Sequence, residues 1–245
     1  MTRLKRAKKP RAASRPARRS GAAQALPRKT ESQKKRAAQI YDALLKCYPN
    51  AHCELDYANP LQLLIATILS AQALDSQVNR ITPALFTALP TAADYVRLTP
   101  QQIEPYINRI GLFRNKAKSI HGAMTMLQRD FDGRVPDTME DLLELPGVAR
   151  KTANVVLGNA FGKNEGIVVD THVQRVGKRL GLTRHSDPKK IERDLMALYP
   201  PERWCMLAHL LIFHGRRACR ARGELCDEHP VCLRYCSNAR AAKRR

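Results

Sequence analysis

Leu145–Phe161, with the sequence LPGVARKTANVVLGNAF, is the stretch that decides the fold. Its Pro-Gly pair predicts a tight turn after a helix that ends at Leu145, and a second helix begins near Arg150. Apolar residues recur along that second helix with the i, i+3, i+4, i+7, i+8 spacing of a buried face: Ala153, Val156, Leu157, Ala160 and Phe161. The stretch therefore predicts a helix–hairpin–helix.

Such a hairpin has a chemical use. The turn and the helix N-terminus direct backbone N–H groups outward, which suits a phosphate. Gly147 permits a close approach of the backbone. An ordinary turn between two helices fits the same turn chemistry, and the residues alone leave both interpretations open.

Two chemically active side chains lie close to this hairpin in sequence. Lys151 is in the first turn of the second helix, where the positive end of the dipole disfavours its protonated form. A neutral amine is the nucleophile of Schiff-base chemistry. Asp170 starts a further helix as an N-cap, and it could stabilise a developing cation if it faces Lys151. A solvated lysine and a simple cap are the alternatives, and we expect His172 to be structural.

The rest of the chain also predicts helices. Asn59-Pro60 is a start signal, and the helix Leu61–Gln72 behind it is apolar nearly all round, as expected in the middle of a bundle. No stretch alternates with period two for long enough to form a sheet. We therefore expect an all-α protein of about ten short helices.

The 245 residues include 43 Lys and Arg against 22 Asp and Glu, a net charge of +21 that points first to nucleic acid and second to an anionic membrane surface. Residues 1–36 carry +13 and the remainder +8. We expect a basic disordered tail over 1–30 and a basic end over 239–245.

The longest apolar stretch, Leu61–Leu69, is too short to span a membrane, and the N-terminus lacks the apolar segment of a secretory signal.

Four of the seven cysteines lie near the C-terminus, as Cys219-x6-Cys226-x5-Cys232-x3-Cys236. An odd number of cysteines without a secretory signal argues against a disulfide framework, so a metal or iron–sulfur site is expected. Zinc and a [4Fe–4S] cluster both accept four thiolates, and ligand type does not separate them. Arg220 and Arg222 would give the loop a grip on phosphate.

With these motifs in place, residues 33–238 resemble the endonuclease III family of the helix–hairpin–helix DNA glycosylases. Five blocks carry the resemblance, in order: Leu69-Ser70-Ala71-Gln72 followed by Asp75; Ile110-Gly111-Leu112; LPGVARKTANVVL; VDTHV; and His214-Gly215-Arg216 leading into the cysteines. The resemblance implies a six-helix barrel domain over 55–163. It also implies a second domain, made of 31–54 and 164–238, that holds a [4Fe–4S] cluster, and a DNA-binding cleft between the two domains.

The resemblance also implies a function: a bifunctional DNA glycosylase and AP lyase of base excision repair that removes oxidised pyrimidines. Lys151 would be the nucleophile, Asp170 the assisting carboxylate, Gln72 the side chain that fills the gap left by the extruded base, and Leu112 the wedge. Phosphate contacts would come from Gly147, Ala149, Arg150, Arg220 and Arg222, and the cluster ligands would be Cys219, Cys226, Cys232 and Cys236. The expected partner is double-stranded DNA with a damaged base or abasic site, bound by a monomer in the bacterial cytoplasm, at the nucleoid, with no membrane.

Three positions depart from the family pattern. Ala149 stands where the family usually has a second glycine, and it would strain the turn if that position needs a positive φ. His229 occupies the third cluster position, so we favour the four cysteines with a re-routed loop and keep His229 as an alternative ligand. Gly223-Glu224 replaces a Lys-Pro that is frequent in the family, which puts one phosphate contact in doubt.

Other functions remain possible from the sequence. An adenine-mismatch glycosylase usually lacks the lysine that this chain has at position 151, and an alkylation-damage glycosylase of the same fold is a further alternative. A non-catalytic helix–hairpin–helix module would bind DNA without covalent chemistry.

Overall fold

The computed structural model describes residues 25–222 and 228–236, and within these ranges it is helical and contains no β-strand. The same ranges hold twelve α-helices and one short 3-10 helix. The predicted all-α class is confirmed. None of these helices is long and apolar enough to cross a lipid bilayer.

Seven helices surround a first apolar core: α2 (Pro60–Leu69), α3 (Asp75–Ala88), α4 (Ala92–Val96), α5 (Pro100–Ile107), α6 (Phe113–Asp130), α7 (Met139–Glu144) and α8 (Arg150–Ala160). The start signal of α2 is confirmed, because the Asn59 side chain accepts a hydrogen bond from the N–H of Gln62 at 3.0 Å and Pro60 is the first helical residue. Every residue from Leu63 to Leu69 is buried, so α2 runs through the middle of this core.

Five helices surround a second core: α1 (Glu31–Cys47), α9 (Thr171–Arg179), α10 (Pro188–Leu198), α11 (Trp204–Arg217) and α12 (Pro230–Tyr235), together with the 3-10 helix Pro201–Arg203. From α1 onward the described chain thus runs from the second core to the first and returns to the second after α8. Helix α8 packs against α11 where the cores meet: a Cβ added to Gly158 would lie 2.9 Å from Sγ of Cys205. The fold is the two-domain helix–hairpin–helix architecture.

Part of the predicted disordered tail is folded onto the second core. Lys29 forms an ion pair with Asp194 at 2.5 Å, and both side chains are largely buried. The carbonyl of Ala25 accepts a hydrogen bond from Arg193 at 2.5 Å. The prediction is therefore wrong for residues 25–30, because a paired lysine and a hydrogen-bonded backbone hold this segment in place. Residues 1–24 and the basic end 239–245 lie outside the described residues.

Candidate functional site

The hairpin between α7 and α8 has the predicted geometry. Helix α7 ends at Glu144, Leu145 is its C-cap, and the N–H of Val148 returns to the carbonyl of Leu145 at 3.1 Å. Gly147 has a φ of +78°, in the left-handed region that favours glycine. A Cβ at this position would also lie 2.6 Å from Cβ of Ser119 on α6. Both the backbone conformation and the packing therefore require glycine.

Ala149 is not strained. It is the N-cap of α8, with φ −100° and ψ 171°, an extended conformation that any residue adopts. The turn therefore does not carry the strain that a positive φ at this position would have caused. Alanine offers no side-chain acceptor at an N-cap, and no side-chain cap bond is formed, so the first N–H groups of α8 have no acceptor from this residue.

Lys151 and Asp170 face a common cleft of about 1160 Å³. Lys151 is the second residue of α8, and its side chain is exposed. Asp170 caps α9, and its Oδ1 accepts a hydrogen bond from the N–H of Val173 at 2.8 Å. Two helix N-termini, one carrying an amine and one a carboxylate, thus open onto the same space.

A smaller pocket of about 90 Å³ continues inward from this cleft, between the two cores. Its walls include Lys151, Asp170, Ser70 and Asp75. Burial raises the pKa of Asp75, while the positive charge of Lys151 acts in the opposite direction and the negative charge of Asp170 adds to the increase. The pocket therefore brings two carboxylates to the predicted nucleophile.

Arg216 connects the two sides of this pocket. It donates hydrogen bonds to Glu54 and, at 2.7 Å, to Asp75, and Arg217 adds a 3.0 Å bond to Glu54. Asp75 begins α3 in the first core, whereas Arg216 belongs to α11 in the second. This bridge was not predicted from the sequence, although both residues lie in the blocks that carry the family resemblance. Their pairing is a contact between segments 141 residues apart.

Gln72 and Leu112, the predicted gap-filling and wedge residues, share an unusual backbone. Their φ angles are +55° and +60°, in the left-handed region that non-glycine residues rarely adopt. Both side chains are exposed, Leu112 by 55%. Gln72 lies on the wall of the cleft. Strained backbone that presents an exposed leucine and glutamine is typical of a binding surface rather than of packing.

Arg150 forms an ion pair across the two cores. Its Nε lies 2.9 Å from Oε2 and 3.1 Å from Oε1 of Glu192, a largely buried residue of α10. Asn154 donates to the same carboxylate at 3.0 Å. The side chain therefore joins the hairpin helix to the second core, and the predicted phosphate contact of Arg150 stays a prediction. A Glu–Arg pair between distant segments leaves no local signal in the sequence.

Helix α9 holds the start of the cysteine-rich segment. Arg175 donates to the carbonyls of Gly215 and Cys219 at 2.9 and 3.1 Å and approaches Nδ1 of His172 at 3.1 Å, consistent with a structural role for that histidine. Arg179 donates to Sγ of Cys219 at 3.3 Å. The predicted DNA contacts Arg220 and Arg222 follow directly and are exposed, and Arg220 lies on the cleft wall.

Three of the four predicted cluster ligands, Cys219, Cys232 and Cys236, are buried in the second core, and Cys226 lies outside the described residues. Cys232 and Cys236 are four residues apart on one turn at the end of α12, and the N–H of Cys236 bonds to the carbonyl of Cys232. Nε2 of His214 lies 3.3 Å from Sγ of Cys232, and Arg179 donates to Sγ of Cys219, so a nitrogen lies against each of these two sulfurs. Donors of this kind favour thiolates, and the residues fit a thiolate-bound group.

His229 also lies at this site. Its ring and that of His214 are 4.7 Å apart, and the ligand atoms of His214, His229 and Cys232 all lie within 4.8 Å of one another. Burial lowers the pKa of His214 to about 3, assisted by the neighbouring His229, and burial also lowers the pKa of His229.

Comparison with known proteins agrees with this geometry. The sequence pattern of the HhH-GPD superfamily of base excision DNA repair proteins matches residues 65–201. The endonuclease III of Synechocystis sp. is 52% identical over 217 residues, which span 89% of this chain and 99% of that protein.

Two solved structures are similar over almost their full length. A non-covalent endonuclease III–DNA complex has a TM-score of 0.82 and 42% identity, covering 86% of this chain and 99% of that one. A trapped endonuclease III–DNA covalent intermediate has a TM-score of 0.81 and 42% identity, covering 86% and 98%.

Proposed function

Because the chain belongs to the endonuclease III family of the HhH-GPD superfamily of base excision DNA repair proteins, we propose that this DNA glycosylase removes oxidised pyrimidines and then cleaves the strand as an AP lyase. Its substrate is double-stranded DNA with a damaged base, such as thymine glycol, or an abasic site. The observation that carries the proposal is the shared cleft of Lys151 and Asp170, each at the N-terminal end of a helix.

Lys151 is the nucleophile of this reaction. Its Nζ forms a bond to C1′ of the damaged nucleotide while the glycosidic bond breaks, and the base leaves with that electron pair and takes up a proton. Opening of the sugar ring then gives an iminium between Nζ and C1′. Removal of the C2′ proton expels the 3′ phosphate by β-elimination, and water hydrolyses the iminium to free the lysine.

Asp170 assists by stabilising the cationic sugar. Its bond to the N–H of Val173 fixes the orientation of the carboxylate, so a negative charge faces the cleft before the substrate enters. The base must leave the stack before Lys151 can reach C1′. Gln72 then occupies the vacated space and Leu112 inserts between the opened bases, an apolar wedge of the kind that separates base steps.

Phosphate contacts hold the duplex against this cleft. The hairpin backbone at Gly147 and Ala149 offers N–H groups at the start of α8, where the helix dipole favours an anion. Arg220 and Arg222 add positive charge from the segment after α11. The unpaired N–H groups at the Ala149 cap support this role, since they are free of a side-chain acceptor.

A [4Fe–4S] cluster bound by Cys219, Cys226, Cys232 and Cys236 completes the second domain. When bound, the cluster supplies rigid cross-linking of the loop that carries Arg220 and Arg222, and the reaction at Lys151 needs no metal. The domains are residues 55–163 for the six-helix barrel and 31–54 with 164–238 for the cluster domain. We expect a monomer that acts at the bacterial nucleoid.

Borohydride trapping tests the proposal. Wild-type protein should form a covalent adduct with thymine-glycol and abasic duplexes, whereas Lys151→Ala should bind the same DNA and form none. Lys34→Ala, which removes an exposed lysine of α1, is the matched control and should trap like the wild type. Absence of an adduct with the wild-type protein, or an equal adduct with Lys151→Ala, would contradict the mechanism and favour a non-catalytic DNA-binding protein.

A further inference from the structure

A run of hydrogen-bonding side chains ends at one of the buried cysteines. His229 caps α12, Tyr48 follows α1, and His214 is fully buried on α11. The Tyr48 hydroxyl lies 3.0 Å from Nε2 of His229 and 3.1 Å from Nδ1 of His214, and Nε2 of His214 lies 3.3 Å from Sγ of Cys232. We call these four residues the Cys232 hydrogen-bond chain.

One contact at the far end sets the direction of every bond in the Cys232 hydrogen-bond chain. The backbone N–H of Val231 donates to Nδ1 of His229 at 3.3 Å, so this Nδ1 carries no proton and Nε2 of the ring does. His229 therefore donates to the Tyr48 oxygen. Tyr48 has a single hydroxyl proton, which it donates to Nδ1 of His214. The proton of His214 is then on Nε2, the nitrogen that faces Cys232.

We infer that this chain fixes an N–H···S hydrogen bond to Cys232, and that His229 is a positioning residue for a cluster ligand and not a ligand itself. The inference rests on the iron–sulfur cluster proposed above. It explains a departure from the family pattern, because His229 stands where the family has a cysteine. Its Nδ1 is already bonded to the backbone and its Nε2–H to Tyr48.

The consequence for a cluster follows from the chemistry of sulfur ligands. An N–H donor to a ligating sulfur stabilises the more negatively charged, reduced state and so raises the reduction potential. Arg179 makes the equivalent contact at Cys219. The two donors differ, because the His214 bond depends on a tautomer that is set at the far end of the Cys232 hydrogen-bond chain, at His229.

A mixed histidine–cysteine metal site is the competing interpretation. The ligand atoms of His214, His229 and Cys232 are close enough for a single small ion. Binding an ion through Nε2 of both histidines would require each nitrogen to lose its proton and Tyr48 to lose its bond to His229. The two interpretations therefore predict opposite protonation at the same two nitrogens.

Imidazole NMR of the iron-loaded full-length protein distinguishes them. Long-range nitrogen–proton correlations should show His214 and His229 as neutral rings with the proton on Nε2. A proton on Nδ1 of either ring, or a ring of His229 with no Nε2 proton, would overturn the inference. Zinc bound in addition to iron in wild-type protein would also overturn it.

Variants give a second, independent measurement. Tyr48→Phe removes the hydroxyl that links the two rings, so the tautomer of His214 is no longer fixed and part of the N–H···S bond is lost. Protein-film voltammetry should show a shift to more negative potential, with the iron content per chain unchanged. Tyr106→Phe removes the hydroxyl of an exposed tyrosine of α5 and should leave the potential where it is.

His229→Asn separates positioning from ligation. This variant should keep its full complement of iron and show a negative shift of potential like that of Tyr48→Phe. Loss of the cluster in a variant whose unfolding remains cooperative would show that His229 is a ligand, and an unchanged potential in both variants would show that the chain has no effect. Absence of iron from the wild-type protein would refute both this inference and the cluster assignment. Borohydride trapping by Lys151 is a separate measurement, and its result would not be affected.

Discussion

Replacing Gly147 by alanine tests how the hairpin is held. Two costs arise at this position. A φ of +78° places a non-glycine residue in the left-handed region, at a cost of about 1–2 kcal/mol. The new Cβ would also lie 2.6 Å from Cβ of Ser119, an overlap with a helix side chain that costs about 1–3 kcal/mol. We expect Gly147→Ala to reduce the free energy of unfolding by about 2–5 kcal/mol.

Gly162 provides a matched control. It also has a positive φ, +64°, but no atom lies within 4 Å of an added Cβ. Gly162→Ala therefore carries the backbone cost alone, about 1–2 kcal/mol. The loss of flexibility in the unfolded chain is the same for both substitutions and cancels in the comparison. The difference between the two variants measures the contact with Ser119.

Urea denaturation gives both free energies, and a binding titration with an abasic-site duplex shows whether the displaced hairpin loses affinity for DNA. The double variant Gly147→Ala/Ser119→Gly should lose about 1–3 kcal/mol less free energy of unfolding than the sum of the two single variants. The reason is that the Ser119 Cβ, which the new Cβ at position 147 would overlap, is absent. Equal destabilisation by Gly147→Ala and Gly162→Ala, or strict additivity with Ser119→Gly, would refute this reasoning.

Four further predictions follow from the described contacts. Leu74 is the N-cap of α3, makes no side-chain cap bond and is 66% exposed, so Leu74→Thr should raise the free energy of unfolding in urea by about 0.5–2 kcal/mol; a decrease would contradict the cap argument. Burial lowers the pKa of His209 to about 4 from its usual 6.5, so between these values the unfolded chain binds a proton that the folded chain does not. Stability should therefore fall by about 2–3 kcal/mol as the pH drops from 6.5 to 4, and His209→Gln should flatten the pH profile of the urea midpoint. Glu192→Gln leaves the partly exposed guanidinium of Arg150 without its anion. The free energy of unfolding, measured by the same urea denaturation, should fall by about 1–3 kcal/mol. An unchanged free energy of unfolding would show that the ion pair contributes nothing to stability. Deleting residues 1–24, which contain nine Lys and Arg, should reduce the slope of DNA affinity against salt, and borohydride trapping at low salt should persist; its loss would show that the tail takes part in the chemistry.

Much of the candidate site is encoded locally. A Pro-Gly turn, an N-cap and an apolar face each depend on residues within one or two turns of helix, and for that reason the hairpin, the α2 start signal and the Asp170 cap are all found as predicted. The sequence left the conformation of Ala149 open, since its φ depends on how the turn enters α8 and not on the residue type. Within the hairpin turn, the neighbouring Gly147 takes the left-handed conformation and Ala149 does not.

The contacts that were not predicted from the sequence are side-chain pairs between distant segments. The partner of Arg150 is Glu192, 42 residues away, and Arg216 reaches Asp75 across 141 residues. Any of the chain's carboxylates is an equally good partner from sequence, because charge complementarity carries no distance information until the chain has folded. Lys29 likewise appeared to belong to a disordered basic tail, and only the packed second core shows that Asp194 holds it.

The sequence by itself determined the helical class and the family, and it predicted the candidate reactive side chains, since all of these depend on periodicity, caps and motifs that are short in range. Only the tertiary structure shows which charged side chains pair with one another within the fold and which remain exposed at the cleft. Arg150 pairs with Glu192, whereas Arg220 is exposed on the cleft wall. The fold also brings Tyr48 between His214 and His229, which lie 166 and 181 residues later in the sequence. The network of hydrogen bonds among these three side chains exists only because the folded chain places them in contact.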